Sequence, residues 1–559
     1  MKKIIIAIVG ILSLTLTGCA DFLNENSKTN ADADTYYSTD AGYESLINAC
    51  YSTLRDVYGG NIEMFSAGTD LFMVGRGGLT SQGLGTYLTL TPADNSVKAF
   101  YTNVYSAIKR CNDAVYYGTG TGRSAVRLAE ARFLRAYYYF QLVQQFGDVA
   151  LVTDYLAKPI KEYPRTPAKD VYSFIISEME ATLSILPVAG STPDGRINQR
   201  VANHYLALVY LTRGYDTTAG GSAADFTKAI TYATTTINNQ ALSLPFDGST
   251  GIFWPGNEKN AEILFSVQYS STSLATTTSG NSQASYFGTY LGGSDGATGD
   301  GMPYMNSNLQ PTMRLYNLLC ADPNDTRFAG TFMQELRGTG TGTSAKCSFY
   351  SYFKTAPATQ NIIVYYPKPT ATVADVAAWV AVSPSTRSNA IIQYAINGTT
   401  TWTTNTADKA FPCIKKFSDP SSVFSTTGST RDIFLARLAE TYLIRAEAEI
   451  KVDGEGVSAR ATADINVVRA RAGASVITAT NATIDYLMDE RARELAGEYH
   501  RWLDLKRTGK LTTYVPLYNP NVPSVSYMLG TGNAYKILRP IPQDAIGLNG
   551  VTVTQNPGY

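Results

Sequence analysis

Residues 127–146 read RLAEARFLRAYYYFQLVQQF, and this stretch decides the fold class of the chain. It contains no glycine or proline, and Gly147 follows at a position where helices commonly end. The small residues Ala129, Ala131 and Ala136 lie among bulky phenylalanine, leucine and tyrosine side chains, so a second helix can approach closely at the small positions. The stretch therefore predicts one long helix that packs against neighbouring helices.

The same apolar periodicity recurs along much of the chain. In residues 432–451, Leu435, Leu438, Tyr442 and Ala446 return every three or four residues and form one apolar stripe. Most helical segments come in consecutive pairs, and because one amphipathic pair cannot bury both of its faces, several must stack into a continuous core. The pattern predicts a mainly α protein of tetratricopeptide-like helix pairs, although no period of about 34 residues can be read cleanly. The further predicted helices are 99–117, 168–186, 200–213, 225–238, 459–472 and 483–507.

The composition changes in the middle third of the chain. Residues 248–430 are rich in glycine, serine, threonine, asparagine and aromatic residues, and 263–267 and 391–394 read as short strands. A segment of this length without helices is usually functional or disordered, and its many aromatic side chains argue against disorder. We expect one domain over residues 29–559, with a helical scaffold at about 29–247 and 431–559 and a loop-rich region at about 248–430.

The N-terminus reads as an export signal. Lys2 and Lys3 precede an apolar run over residues 4–16, and LTGC follows at 16–19. An uncleaved transmembrane helix is the alternative, but the run is 13 residues long, whereas spanning a bilayer takes roughly 20. LTGC resembles the bacterial lipobox, so we expect a signal peptide over residues 1–18 and a lipid-modified Cys19 that anchors the chain to a membrane. The polar and acidic residues 19–28 are expected to be a flexible tether.

Composition restricts the classes of partner. The chain has 46 basic and 46 acidic residues, so net charge gives no case for binding nucleic acid. Besides Cys19 there are five cysteines, none at metal-ligand or redox spacing, and Cys50 and Cys111 are expected to be buried thiols within helices. The two histidines, His204 and His500, have no second His or Cys nearby at ligand spacing, so we expect no His-based zinc site. We also expect no other metal and no cofactor.

Catalytic motifs are weak throughout the chain. The Gly-x-Ser-x-Gly match at 292–296 is not followed by a helix, so the strand-to-helix elbow of a hydrolase nucleophile is missing. Glu490 and Glu494 lie four residues apart on one predicted helix face, but arginines at 491 and 493 surround them, and a carboxylate held ionised is a poor general acid. We interpret the charged block 490–507 as a salt-bridged structural helix and expect no enzyme. A secreted glycan hydrolase with two carboxylates across a cleft stays open as an alternative.

Several long motifs together resemble the SusD/RagB family of outer-membrane glycan-binding lipoproteins of Bacteroidetes. They occur in the family's order and cover nearly the whole chain. They are the lipobox at Cys19, AEARFLRAY at 129–137 running on to FGD at 146–148, LAETYLIRAEA at 438–448, INVVRARAG at 465–473, the block 490–507 and the final QNPGY at 555–559.

The resemblance implies a function as well as a fold. It implies a lipoprotein of the outer membrane, facing the cell exterior, that binds a poly- or oligosaccharide and hands it to a TonB-dependent SusC-like transporter. A peptide-binding uptake lipoprotein of the same family is the alternative. Sugar contacts in the family come from aromatic and polar residues on loops after the first helices and in the middle third. In this chain those loops hold the candidate ligand-binding residues Asp70, Phe72, Arg76, Tyr286, Phe287, Tyr290 and Tyr304.

Overall fold

The computed structural model describes most of the chain from residue 33 onward. The described residues are 33–120, 122–158, 160–189, 195–270, 280–288, 306–339, 346–349, 360–393, 412, 414–419 and 428–559. The signal peptide, Cys19 and the tether predicted over residues 1–28 lie outside them. In the described part of the chain, no helix is long and apolar enough to cross a membrane.

The protein is mainly helical, as predicted, and its elements are numbered here in chain order. The helices of the first half are α1 Ala33–Tyr37, α2 Asp40–Tyr58, α3 Glu63–Ser66, α4 Gln82–Thr86, α5 Asn95–Gly118, α6 Ala125–Phe146, α7 Ala168–Thr182, α8 Gln199–Gly214, α9 Ala223–Ile237 and α10 Gln283–Phe287. Those of the second half are α11 Met313–Cys320, α12 Arg327–Thr331, α13 Val373–Val382, α14 Pro384–Arg387, α15 Leu438–Asp453, α16 Ala459–Arg471, α17 Ile484–Leu495, α18 Arg501–Arg507, α19 Leu511–Tyr518 and α20 Gln543–Gly547.

Short strands and single 3-10 turns complete the fold. The strands are β1 Phe72–Val74, β2 Ile263–Val267, β3 Leu309–Pro311, β4 Glu335–Thr339, β5 Lys346–Phe349, β6 Asn361–Tyr365, β7 Ile391–Ile392 and β8 Ile433–Arg437. They pair as β1 with β3, as β2 with β8, and as one sheet in the order β5-β4-β6-β7. The 3-10 turns are Lys415–Phe417, Ala479–Asn481 and Val525–Met528.

The helix predicted at 127–146 is confirmed as α6. The hydroxyl of Ser124 caps its first turn by accepting the N–H of Arg127, and Gly147, at φ 71°, ends it. Helix α6 packs against α5 and α7, α9 packs against α8 and α15, and α15 packs against α16. Cys50 and Cys111 lie fully buried between α2 and α5 as free thiols, as predicted. Stacked helix pairs therefore form the scaffold.

Two helix predictions are wrong in part. Residues 433–437 form β8 rather than the first turn of a helix, because all five are buried and pair with the distant strand β2. The helix predicted over 483–507 is broken between α17 and α18, where Gly497 and Tyr499 both have positive φ. A Cβ on Gly497 would lie 2.6 Å from the Phe417 ring, so the close approach of that ring requires glycine.

The middle third is loop-rich and holds most of the strands, but the expectation that it has no helices is wrong, because α10 to α14 lie in it. The strand predicted at 263–267 is confirmed as β2, while the predicted strand 391–394 is short, since β7 covers Ile391 and Ile392 and Tyr394 lies outside the described residues. The predicted domain boundaries stay a prediction.

Candidate functional site

Two distant parts of the chain meet at one surface. Strands β1 and β3 are antiparallel, with Met73 opposite Gln310. Past β1, the N–H of Gly75 donates to Asn308 O at 2.8 Å and that of Gly77 donates to Ser307 O at 3.3 Å. We call this the β1–β3 surface, and define it as the turn 75–80, Tyr286 and residues 306–308.

The β1–β3 surface also holds Tyr286 and Asn306, which are described residues on either side of the segment 289–305. Tyr286 is in helix α10, and the N–H of Asn306 donates to the carbonyl of its neighbour Ser285 at 3.1 Å. The structure thus brings Arg76 and Tyr286 to the same surface as the described residues that flank, in sequence, the segment that carries Tyr290 and Tyr304. Tyr290 and Tyr304 themselves lie outside the described residues.

Asp70 is a correction to the predicted site. Its carboxylate is fully buried and accepts two hydrogen bonds from Arg501, from Nε at 2.7 Å and from Nη2 at 2.5 Å. Arg314 Nε lies 3.0 Å from the same carboxylate. A side chain enclosed by two arginines has no surface left for a ligand, so Asp70 supports the β1–β3 surface from below.

Phe72 and Phe287 are corrected for the same reason. Both are buried, and their ring centroids are 4.8 Å apart. Phe287 also packs on Phe417, at 5.5 Å. These rings are part of the core that joins strand β1, helix α10 and the 3-10 turn Lys415–Phe417, and they cannot stack on a sugar.

The remaining described candidates lie at the surface. Arg76 is exposed in the turn after β1. Tyr286 is half-buried, and its hydroxyl donates to Glu63 Oε1 at 2.9 Å. The Glu63 carboxylate also accepts the backbone N–H groups of Thr80 and Ser81, at 2.7 and 2.9 Å. Burial and the charge of Glu63 raise the pKa of Tyr286, so its phenol stays a neutral donor that fixes this turn.

The charged block 490–507 is structural, as interpreted from the sequence. Glu490 and Glu494 are fully buried. Glu490 accepts hydrogen bonds from Arg327 and Arg493, each at 2.7 Å, and Glu494 accepts one from Arg437 at 2.9 Å. Burial alone would raise the pKa of Glu490, but the surrounding arginines outweigh it and hold that pKa below its usual value. A carboxylate kept ionised in this way cannot act as a general acid.

The two histidines lie together in this buried region. Nε2 of His204 is 3.5 Å and Nδ1 of His500 is 3.3 Å from the Glu440 carboxylate. His204 Nδ1 also lies 2.8 Å from the hydroxyl of Thr441. Among the residues that the structure describes, no group of three or more His, Cys, Asp or Glu side chains could hold a metal ion.

A second aromatic site was missed by the sequence reasoning. The rings of Tyr365 and Trp379 stack in parallel, with centroids 4.0 Å apart, beside a cleft of about 280 Å³. The available signal was composition, since Trp379 is one of four tryptophans and lies in the region expected to carry the ligand. The rest of the lining could not be read from the sequence, because it comes from α12, β4 and the 3-10 turn Lys415–Phe417.

Two family models match the chain. One, described as the SusD family, matches residues 261–559. The other, described as starch-binding associating with outer membrane, matches residues 21–211.

Curated relatives are similar over the whole chain or over part of it. The SusD-like protein P2 of Formosa agariphila is 25% identical over 589 aligned residues, which cover 100% of both chains. The starch-binding protein SusD of Bacteroides thetaiotaomicron is 39% identical over 143 residues, which cover 25% of this chain and 24% of that protein.

Solved structures share the fold. A laminarin binding SusD-like protein superposes with a TM-score of 0.66 at 22% identity, covering 93% of this chain and 100% of the other. Surface glycan-binding protein A from Bacteroides thetaiotaomicron, in complex with laminarihexaose, superposes with a TM-score of 0.65 at 19% identity and the same coverage. At these identities the likeness establishes the architecture and no ligand.

Proposed function

Because the chain belongs to the SusD family, we propose that it captures a poly- or oligosaccharide at the cell surface and delivers it to a SusC-like TonB-dependent transporter. It acts as a lipoprotein of the outer membrane, anchored through Cys19 and facing the cell exterior. It makes and breaks no bond, and its relatives are named as binding proteins.

The assembly of the β1–β3 surface carries this proposal. Residues more than 200 positions apart converge there, since Gly75 bonds to Asn308 and Tyr286 bonds to Glu63. Buried groups underneath, including Asp70, keep the backbone of this surface in place without reaching the ligand. Arg76 and Tyr286, with Tyr290 and Tyr304 on the adjoining segment, supply the cation, hydroxyls and aromatic rings that sugar binding uses.

Several weak contacts give the affinity in this proposal. One aromatic ring against one sugar ring contributes little after the entropy cost of association, so a chain that touches several rings is held better than a monosaccharide. We therefore expect hexasaccharides to bind more tightly than the corresponding monosaccharides.

Titration calorimetry of variants tests the site. Arg76→Ala, Tyr290→Ala and Tyr304→Ala should each weaken binding of maltohexaose or laminarihexaose by about tenfold, equivalent to about 1.4 kcal/mol, with the melting temperature nearly unchanged. Tyr535→Ala is the matched control, because Tyr535 is also exposed, at 42%, and its backbone pairs with Leu529, outside this surface. A large loss of stability in one of the first three variants would instead assign that residue to packing.

The same preparation separates the alternative functions. Titration with a peptide library should give no heat, and a peptide that binds while all saccharides fail would favour peptide uptake. Incubation with starch and laminarin should leave the number of reducing ends constant, and their steady increase would favour a hydrolase.

In cells, deletion of the gene should abolish uptake of the bound oligosaccharide, and uptake that persists would refute delivery.

A further inference from the structure

The two histidines of the chain face one buried carboxylate, that of Glu440 in α15. Nε2 of His204, in α8, is 3.5 Å from its Oε2, and Nδ1 of His500, the residue before α18, is 3.3 Å from its Oε1. Glu440 and His204 are 0% exposed, so their charges cannot turn to water. Within the described part of the chain, neither His204 Nε2 nor Glu440 Oε2 has a hydrogen-bond partner. These two atoms therefore face each other alone.

The buried carboxylates around these histidines outnumber the arginines that pair with them. Glu440, Glu447 and Asp504 are buried and share two guanidinium groups, those of Arg491 and Arg507. Arg491 lies 3.3 Å from Glu440 and donates to Asp504 at 2.8 Å. Arg507 donates to Glu447 at 2.8 Å and to Asp504 at 2.9 Å. Among the residues that the structure describes, no other arginine and no lysine forms an ion pair with these carboxylates, so one negative charge is in excess.

Two further titratable groups face the histidines, and neither supplies the missing positive charge. Glu498 acts on His500, but its carboxylate is already held by an arginine and a lysine. Tyr205 lies edge-on to the ring of His204, with the ring centroids 5.0 Å apart. Burial raises the pKa of Tyr205 well above its usual value, so this phenol stays neutral.

We propose that the His204–His500 pair binds one proton at neutral pH and thereby supplies the missing positive charge to Glu440. A buried carboxylate without a cation is costly, and an imidazolium that faces it removes much of that cost. The ring of His204 can carry the proton because both of its nitrogens have an acceptor, Glu440 on one side and the Thr441 hydroxyl, 2.8 Å away, on the other. A second proton would place two imidazolium groups on one carboxylate, so the pair takes only one.

The pKa values of the same groups agree with a charged contact. Burial alone would raise the pKa of Glu440, but the two imidazoles and Arg491 outweigh burial and hold that pKa below its usual value. Burial lowers the pKa of His500, and Glu440 opposes this effect, so His204 is the expected carrier of the proton. Smaller effects on His500 come from Arg491, Asp504 and Glu498. Because both rings share one carboxylate, they titrate as a pair.

The bound proton links the stability of the scaffold to pH. His500 directly precedes Arg501, which binds Asp70 beneath the β1–β3 surface. The unfolded chain loses its histidine protons near the ordinary pKa of about 6.5, whereas the folded pair keeps one proton to a higher pH. The stabilisation is therefore complete below about pH 6.5 and is lost as the pH rises through the value at which the folded pair is deprotonated. This pH dependence needs no ligand, so it does not depend on the saccharide-binding function proposed above.

Nitrogen-15 NMR of the intact protein, purified without a histidine tag, tests the proton directly, since the chain has only two histidines. The two ring nitrogens resonate close together in an imidazolium and far apart in a neutral imidazole. An ordinary histidine is about nine-tenths neutral at pH 7.5. At this pH we expect one imidazolium ring and one neutral ring in the folded protein. Two neutral rings, or two imidazolium rings, overturn the proposal.

Glu440→Gln is the matched variant, because it leaves two carboxylates beside two arginines and so needs no proton. It should lose the imidazolium signal at pH 7.5, while the exposed Glu455→Gln should keep it. Between pH 6.5 and pH 9, the melting temperature of the wild type should fall by about 2 °C more than that of Glu440→Gln, for a pair that keeps its proton to about pH 8. An imidazolium that persists in Glu440→Gln, or parallel melting profiles, overturns the proposal. The wild-type spectrum decides the question even where a variant does not fold.

Discussion

Replacement of Asp70 by asparagine tests whether Asp70 supports the proposed binding surface or contacts the ligand directly. The sequence resemblance placed Asp70 among the ligand contacts, whereas the structure buries it against Arg501 and Arg314. Asp70→Asn removes the charge and keeps the size of the side chain. The new amide can accept one hydrogen bond from Arg501, but its NH₂ group then faces a second N–H donor.

The expected cost follows from the burial of the pair. Asp70 is 0% exposed and Arg501 is 5% exposed, so neither charge can turn to water. Removing one partner of a buried ion pair costs about 3–5 kcal/mol, because the other charge is left uncompensated. An unfolding entropy of about 2.1 cal/mol/K per residue makes this a fall of about 3–4 °C in the melting temperature of a chain of this length. The affinity for hexasaccharide should fall by less than the roughly tenfold loss expected for Arg76→Ala, because Asp70 supports the surface but does not touch the ligand.

The assay pairs thermal unfolding with calorimetry on the same samples. Arg76→Ala is the matched control and should show the reverse, namely weaker binding and an unchanged melting temperature. The double variant Asp70→Asn/Arg501→Gln should regain part of the lost stability, because Arg501 no longer leaves a buried charge unpaired. If Asp70→Asn keeps the wild-type melting temperature and loses binding, then Asp70 contacts the ligand and our assignment of it to the core is refuted.

Two further variants test a buried charge and the anchor. Burial and the neighbouring Asp464 raise the pKa of Glu449 to about 7, whereas the ordinary pKa of this side chain in the unfolded chain is about 4.3. Between these two pH values the folded protein keeps a proton that the unfolded chain has lost, so the free energy of unfolding falls as the pH rises from one to the other. Urea unfolding should therefore find Glu449→Gln more stable than wild type by about 2–3 kcal/mol at pH 8 and equal to it at pH 4, with the exposed Glu455→Gln unchanged at both. Cys19→Ala should release the protein from membranes in cell fractionation, and a variant that stays membrane-bound and acylated would contradict the lipobox assignment.

The scaffold could be predicted from the sequence because local periodicity determines it. The apolar spacing and the absence of glycine in 127–146 correspond closely to α6, Ala125–Phe146. The same reasoning failed at residues 433–437, since a short apolar run fits a helix turn and a buried strand equally well. Residues 433–437 form a strand because they pair with β2, which is about 170 residues earlier in the chain. The local sequence pattern does not show this pairing.

The site could be predicted only in part, for a related reason. The family resemblance put the loops near residues 76 and 286 in one site, and β1–β3 pairing places these two loops at the same surface. The position of a residue in a loop does not show whether its side chain points into the core or to the surface. Asp70 points into the core because it pairs with Arg501, which is 431 residues away in the sequence. Tyr365 and Trp379 were missed because the cleft exists only after strands β4 and β6 and helix α13 have packed together.

The charged motif at 490–507 joins the helical scaffold to the loops that bear the proposed ligand surface. Glu490 binds Arg327 of α12, Glu498 binds Lys416 of the 3-10 turn, and Arg501 binds Asp70 before β1. Each of these contacts crosses from α17, α18 or the turn between them to a segment that borders the β1–β3 surface or the cleft. Since buried ion pairs add little net stability but are costly to break, their main effect is to exclude other placements of those loops. A motif rich in potential catalytic groups therefore supports the proposed binding surface from a distance, by fixing where Arg76, Tyr286 and Lys415 lie.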